Sequence, residues 1–206
     1  MVIFLMMANK PILYQSYRRR KGGINNHDSN MREYGELNGG YNLLDIGFGD
    51  GDSIINLSTD SPINIFGVDT YHVGFNKILK LKSKKNLKDL YLIQGDIVDI
   101  IDSFPPNFFD KVHIFFPDPW PKRKHHKRRF LNEYFLEKLR EKLKKDNQIH
   151  FASDHINFFL DTKKIISRFL NIEIEFLQNR VKRPVTKYEL KALKNNHKVF
   201  EILFSL

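Results

Sequence analysis

The chain has 206 residues, 41% of them apolar and 18 of them Phe, with a formal net charge of +10. That is enough for one α/β domain with a sizeable core, and it excludes a globally disordered chain. There is no cysteine, which excludes disulfides, thiolate nucleophiles and cysteine-based zinc sites and fits a reducing cytoplasm.

The opening stretch 1–8 is apolar, but it is too short to span a membrane and no basic residue precedes it. It reads as a frayed end, or as the lead-in to a later start at Met6 or Met7, and not as a secretory signal. Residues 1–40 are rich in Gly and Asn and read as a flexible arm carrying Arg18, Arg19, Arg20 and Lys21. From residue 41 to 206 one domain alternates strand and helix. Strands are predicted at 42–46, 64–68, 90–94, 111–116 and 148–153. Helices are predicted at 52–58, 74–84, 97–101, 129–145 and 157–170. Two late strands, 172–176 and 198–204, complete a sheet of seven. The alternation predicts an α/β fold with a mostly parallel sheet covered by helices on both faces. Such sheets bind ligands beyond the carboxyl ends of their strands. That rule gathers the stretch 47–51, Asp69, Asp96, the stretch 117–120 and Asp154 on one rim.

The first strand ends in Leu44-Asp45-Ile46-Gly47-Phe48-Gly49-Asp50-Gly51. Glycines there allow a sharp turn and close approach to a ligand. The spacing is G-x-G-x-G. A dinucleotide fingerprint needs a small residue at 52, where Asp52 stands. An Asp at a helix start also competes with a pyrophosphate for the same positive terminus. The ligand therefore reads as a nucleoside without phosphates, and S-adenosylmethionine fits, with its sulfonium, amino group and ribose diol. Asp69 ends the second strand at the distance where an acidic residue meets a ribose. Asp96 ends the third strand, where an adenine amino group can be read. Each Asp taken singly is equally a helix cap.

After the fourth strand comes Phe116-Pro117-Asp118-Pro119-Trp120-Pro121. Three prolines in five positions forbid helix and central strand, so the segment is a rigid loop. Trp120, the only tryptophan, is either a stacking platform for a base or a packing anchor. Six Lys or Arg and two His fill the next eight positions. That stretch, the run Arg18 to Lys21 and a third cluster from Arg180 to Lys198 carry half of the 34 basic residues. Such concentration suggests a polyanion partner; a solvated basic face is the alternative.

These residues resemble a known family, the bacterial tRNA (guanine-N7)-methyltransferases. Phe115 to Trp120, with Lys122, His125 and Lys127-Arg128-Arg129, look like its central signature. Arg183-Pro184-Val185-Thr186-Lys187-Tyr188-Glu189 looks like its C-terminal one. The resemblance covers most of the chain. It implies a class I methyltransferase fold with S-adenosylmethionine as donor. The implied substrate is tRNA, methylated at N7 of a guanine, with position 46 of the variable loop as the expected target. Cofactor binding is then expected at Asp45, Gly47, Gly49, Gly51, Asp69, Asp96 and Asp118. Asp118 carries the catalytic role, as a fixed carboxylate beside a base that gains positive charge. Substrate contacts are expected from Lys122, His125, Arg128, Asp154, Thr186, Lys187 and Glu189. Neither a metal nor a membrane is expected, and the assembly is expected to be a monomer or homodimer. The N-terminal arm is short for the family, and the sequence departs from it in four further places. Asp45 and Asp69 stand where Glu is commoner, Tyr71 stands where His is common, and Leu190-Lys191-Ala192 follows Glu189. Rival readings are a methyltransferase acting on another RNA base, a nucleotide-dependent oxidoreductase and a non-catalytic RNA-binding module.

Overall fold

The computed structural model describes residues 40–60 and 63–206. The expected basic arm lies outside them. Six strands form one sheet in the order β3-β2-β1-β4-β5-β6. They are β1 Asn42–Ile46, β2 Asn64–Asp69, β3 Leu90–Gln94, β4 Phe109–Phe115, β5 Leu143–Ser153 and β6 Phe200–Phe204. The first five pair in parallel and β6 pairs antiparallel with β5. Order reverses between β1 and β4, so the carboxyl ends of these strands open a crevice there.

Helices α1 (Asp52–Asp60) and α2 (His72–Lys85) cover one face. Ile54, Ile55, Phe75 and Ile78 pack there on Leu43, Ile65, Leu90 and Leu92. Helices α3 (Ile97–Ile100), α4 (Glu133–Lys142) and α5 (Ile156–Leu170) cover the other. Phe135, Leu139, Phe158 and Ile166 pack there on Leu44, Phe66, Val112 and Phe151. Local chemistry sets several ends. Asn132 caps α4 through the Phe135 N–H, and Asn86 and Asn171 close α2 and α5 in the left-handed region at φ 53° and 54°.

Two expectations need correction. The helix expected over 129–145 stops at Lys142, and Leu143 already begins β5. The N–H groups of Asn107 and Phe108 take the carbonyls of Glu141 and Lys142, and Leu143 pairs with Phe109. Tertiary pairing overrides a run of good helix formers. The strand expected over 172–176 is absent, leaving six strands among the described residues where seven were expected. Only Ile174 is buried while Ile172 and Phe176 are exposed. Pairing with β6 is limited to one bond, from the Leu177 N–H to the Glu201 carbonyl.

The last helix, α6 (Lys187–Lys194), is tied to the sheet by charge. Arg183 is buried and donates to Glu189 at 2.6 Å and to Glu201 at 2.5 Å. Arg180 adds a 2.6 Å bond to Glu189, and His150 meets Glu201 at 2.9 Å. Burial pushes the Glu201 carboxyl up, but the His150 and Arg183 hydrogen bonds outweigh it and hold it at about 2. Glu201 is therefore ionised and the His150 Nε2–H donates. Arg183→Met leaves two buried carboxylates without their shared cation. The unfolding free energy in urea should drop by about 3–5 kcal/mol; a loss below about 1 kcal/mol would show that the pairs are dispensable.

Candidate active site

The crevice holds a cleft of about 400 Å³. Its walls come from the exits of successive strands. Ile46 ends β1 and Gly47 and Gly49 follow it, Asp69 ends β2 and Thr70 and Tyr71 follow it, and Gly95 and Asp96 follow β3. Phe116, Pro117, Asp118 and Trp120 follow β4, and Arg128, Arg129, Phe158 and Tyr188 close the rim.

The glycine loop has the geometry its sequence requires. Gly47, Gly49 and Gly51 all have positive φ, at 81°, 58° and 76°. A Cβ on Gly47 would meet nothing within 4 Å, because that side faces the open cleft. A Cβ on Gly51 would lie 2.2 Å from Ile78 Cγ1, so Gly51 lets α2 pack against the loop. The N–H of Gly49 donates to Asp69 Oδ2 at 2.6 Å, and that of Tyr71 to Oδ1 at 2.7 Å. Burial raises the Asp69 pKa, these backbone bonds oppose the rise, and the nearby charge of Asp118 adds to it. Asp96 caps α3 through the Val98 N–H at 3.0 Å and also lines the cleft. Asp118 is exposed at the cleft wall.

Asp45 does not line this cleft. It lies beneath the loop, in a recess of about 20 Å³ shared with Gly51, Ser53, Phe115, Thr186 and Lys187. It is 2% exposed and its Oδ2 has no hydrogen-bond partner. Burial first, and then the charge of Asp69, raise its pKa to about 7. Gly47 and Tyr188 line both spaces, so the recess adjoins the cleft. On the same sheet face Asp45 registers with His113, and His113 with His150. Burial lowers the His113 pKa well below its ordinary value, helped by the charges of Lys111, His150 and Arg183.

The expected substrate residues divide. His125 meets the Trp120 ring edge-on at 5.9 Å, and the Arg128 guanidinium lies over that ring at 4.7 Å. Lys122 is exposed where a 3-10 turn (Arg123–Arg128) begins. Lys187 reaches Asp50 at 2.5 Å, bringing the C-terminal segment onto the glycine loop. Thr186 caps α6 by accepting the Glu189 N–H at 3.1 Å. Asp154 stands just beyond β5 with His197 Nδ1 at 3.3 Å, outside the cleft lining. Glu189 is not brought to the cleft at all: it is 1% exposed and taken up by Arg180 and Arg183. Tyr188 and Arg129 line the cleft although neither was among the expected site residues. Tyr188 lies inside the second signature, and a one-residue change of helical phase separates it from Glu189. Arg129 is the last residue of the basic run. Its Nε–H donates to the Pro119 carbonyl at 2.9 Å and its Nη1 to Asp161 at 2.8 Å.

The strand order and the glycine-loop cleft define a class I methyltransferase fold. A solved structure described as an antibiotic-related methyltransferase has a TM-score of 0.60 at 20% identity, covering 87% of this chain and 96% of its own. Residues 40–202 match the family model described as "Putative methyltransferase". A Buchnera aphidicola tRNA (guanine-N(7)-)-methyltransferase is 34% identical over 171 residues, 80% of this chain and 72% of its own. One from Nitrosospira multiformis is 31% identical over 219 residues, 95% of each chain. The chain belongs to the tRNA (guanine-N7)-methyltransferase family.

Asp45 has a consequence for stability. The unfolded chain loses this proton near pH 4, whereas the folded chain keeps it to about pH 7. Its contribution is therefore complete below about pH 4 and is lost as the pH rises toward 7. Asp45→Asn should remove that loss. Its unfolding free energy should gain on that of the parent by on the order of 2 kcal/mol between pH 5 and pH 7. Parallel pH profiles for the two proteins would contradict the raised pKa.

Proposed function

We propose that the protein transfers a methyl group from S-adenosylmethionine to N7 of a guanine in tRNA, at position 46 of the variable loop. Family membership supports the reaction. The observation that carries the site reading is the charge division of the cleft. Asp69, Asp96 and Asp118 line its wall, with Asp45 beneath the loop, while Arg128 and Arg129 close its edge and the basic run Lys122 to Lys127 leads directly into them. A cationic nucleoside suits the acidic wall, and a polyanion suits the rim.

S-adenosylmethionine, when bound, supplies an electrophilic methyl on a sulfonium. Asp69 accepts from the ribose hydroxyls and Asp96 from the adenine amino group. Gly47 and Gly49 bring the backbone close, and the negative charge of Asp45 favours the amino-acid end from below. Asp118 fixes the donor and opposes the positive charge that builds on the guanine. N7 has a lone pair and no proton, so the step needs no general base. Lys122, His125, Arg128 and Lys187 contact RNA. Burial first, then Arg128, Lys124, Lys122 and Lys127, lower the His125 pKa, so it is neutral at pH 7 and orders the loop. Asp154 accepts from the guanine N1–H and amino edge. Glu189 acts through Arg180 and Arg183, holding Thr186 to Tyr188 against the loop. Among the described residues no helix is long and apolar enough to cross a membrane, and no group of three or more His, Asp or Glu is placed to hold a metal ion.

The test is incubation with labelled S-adenosylmethionine and tRNA transcripts with and without the variable-loop guanine. Label should appear only in the first, as 7-methylguanosine, and Asp118→Ala should lower kcat by about 100-fold or more. Equal labelling of both transcripts would overturn the position, and 6-methyladenine would overturn the reaction. Binding of tRNA should weaken with salt, with a log–log slope set by the number of phosphates neutralised; a flat profile would remove the basic rim from the interface.

A further inference from the structure

We propose that the indole face of Trp120 is the seat of the target guanine, and that the guanidinium of Arg128 holds that seat until RNA arrives. The proposal rests on the methyl-transfer reading above. It starts from the contrast between two neighbouring arginines. Arg129 is locked by the Pro119 carbonyl, by Asp161 and by the Phe158 ring. Arg128 lies 4.7 Å over the Trp120 ring. Among the described residues its guanidinium donates no hydrogen bond and pairs with no carboxylate. It is a planar cation lying over an aromatic ring, and one stacking partner exchanges readily for another.

The platform itself is rigid. Trp120 has φ 43°, a left-handed conformation that costs a bulky residue strain and persists where its surroundings enforce it. Pro119 and Pro121 flank it, and the His125 ring supports it edge-on. Trp120, Arg128 and Asp118 all line the same cleft. A base on the indole is thus in the same space as the carboxylate assigned to the donor.

The chemistry explains why this face suits the reaction. The sulfur–methyl bond breaks as the N7 lone pair forms the new bond. The sulfonium becomes a neutral thioether and the purine becomes a planar cation, and no proton leaves in this step. An indole face attracts a planar cation more strongly than a neutral ring. The ring therefore favours the charge as it develops on the base. The guanidinium seen there is a planar delocalised cation, the charge type that the methylated base becomes. Displaced by RNA, Arg128 is free to take a phosphate, and its return helps expel the product.

The sole tryptophan reports directly on this seat. With S-adenosylhomocysteine present to block turnover, the transcript with the variable-loop guanine should quench Trp120 fluorescence. The transcript with that guanine replaced should bind but quench much less. Trp120→Phe should lower kcat roughly ten-fold at saturating tRNA, leaving the dissociation constant for S-adenosylmethionine unchanged. With free nucleosides, 7-methylguanosine should quench more strongly than guanosine, a readout that needs no activity. Equal quenching by the two nucleosides, or by the two bound transcripts, would overturn the proposal, as would full kcat in Trp120→Phe. Failure of the underlying reaction looks different: the unmodified protein would label no tRNA while the nucleoside preference persisted.

Discussion

Arg183 cannot shed its charge, and it is 8% exposed. Its burial is tolerable only if carboxylates meet it, and two do, Glu189 from α6 and Glu201 from β6. The Phe115 ring lies under the guanidinium at 4.8 Å, so the arrangement reaches the end of β4 as well. The consecutive elements α6 and β6 and the distant end of β4 are thereby fixed to one cation. The first turn of α6 then has a single position, with Lys187 on Asp50 and Tyr188 at the cleft wall. The glycine loop and the C-terminal segment, 137 residues apart in that contact, become one surface. A buried pair of this kind adds little net stability over an apolar substitute, but it is selective about geometry. Here the geometry it selects is the one that completes the cleft.

The same cleft separates charge by depth. Carboxylates stand at the strand ends, where burial raises Asp69 and Asp45. Arginines and lysines stand on the rim, on the loop that follows β4. A ligand that satisfied Asp45 would have to bring positive charge toward the recess, and it would release the proton that Asp45 holds below about pH 7. The affinity of such a ligand would depend on pH through a residue that does not line the cleft itself. The rim works differently. The lysines of that loop, Lys122, Lys124 and Lys127, are exposed, so their charges act over about a Debye length and are screened by salt.

Much of this was legible in the sequence because parallel strands buried on both faces read as short apolar runs. β1 and β3 were bounded correctly for that reason, and Gly47 to Gly51 announced the turn. The start of β5 was not legible. Lys144 and Lys145 favour helix, and only the capture of the Glu141 and Lys142 carbonyls by the β4 approach ends α4. The failure of 172–176 to join the sheet has a similar cause, since its alternating apolar residues give no sign of whether a neighbour will pair. The site was legible as a set of strand exits, but the direction of each side chain was not. Glu189 and Tyr188 are adjacent in sequence, yet one faces Arg183 and the other the cleft. Asp45 belonged to the right loop but to the space beneath it.

A reaction that moves charge without moving a proton asks little of acid–base chemistry and much of placement. The described site has that character. The loop after β4 spends conformational energy on rigidity, with Phe116 and Trp120 both at positive φ, 51° and 43°, among three prolines. The strain is confined between two anchors: the Phe116 N–H still bonds the Ala152 carbonyl at 2.8 Å, and Arg129 still holds the Pro119 carbonyl. Asp118 lies between those anchors, so its backbone is fixed in place although its side chain is exposed. A flexible carboxylate would be solvated as the charge developed and would reorganise during the step. One held between two fixed points contributes its field at the outset, which is the condition under which electrostatic stabilisation lowers a barrier.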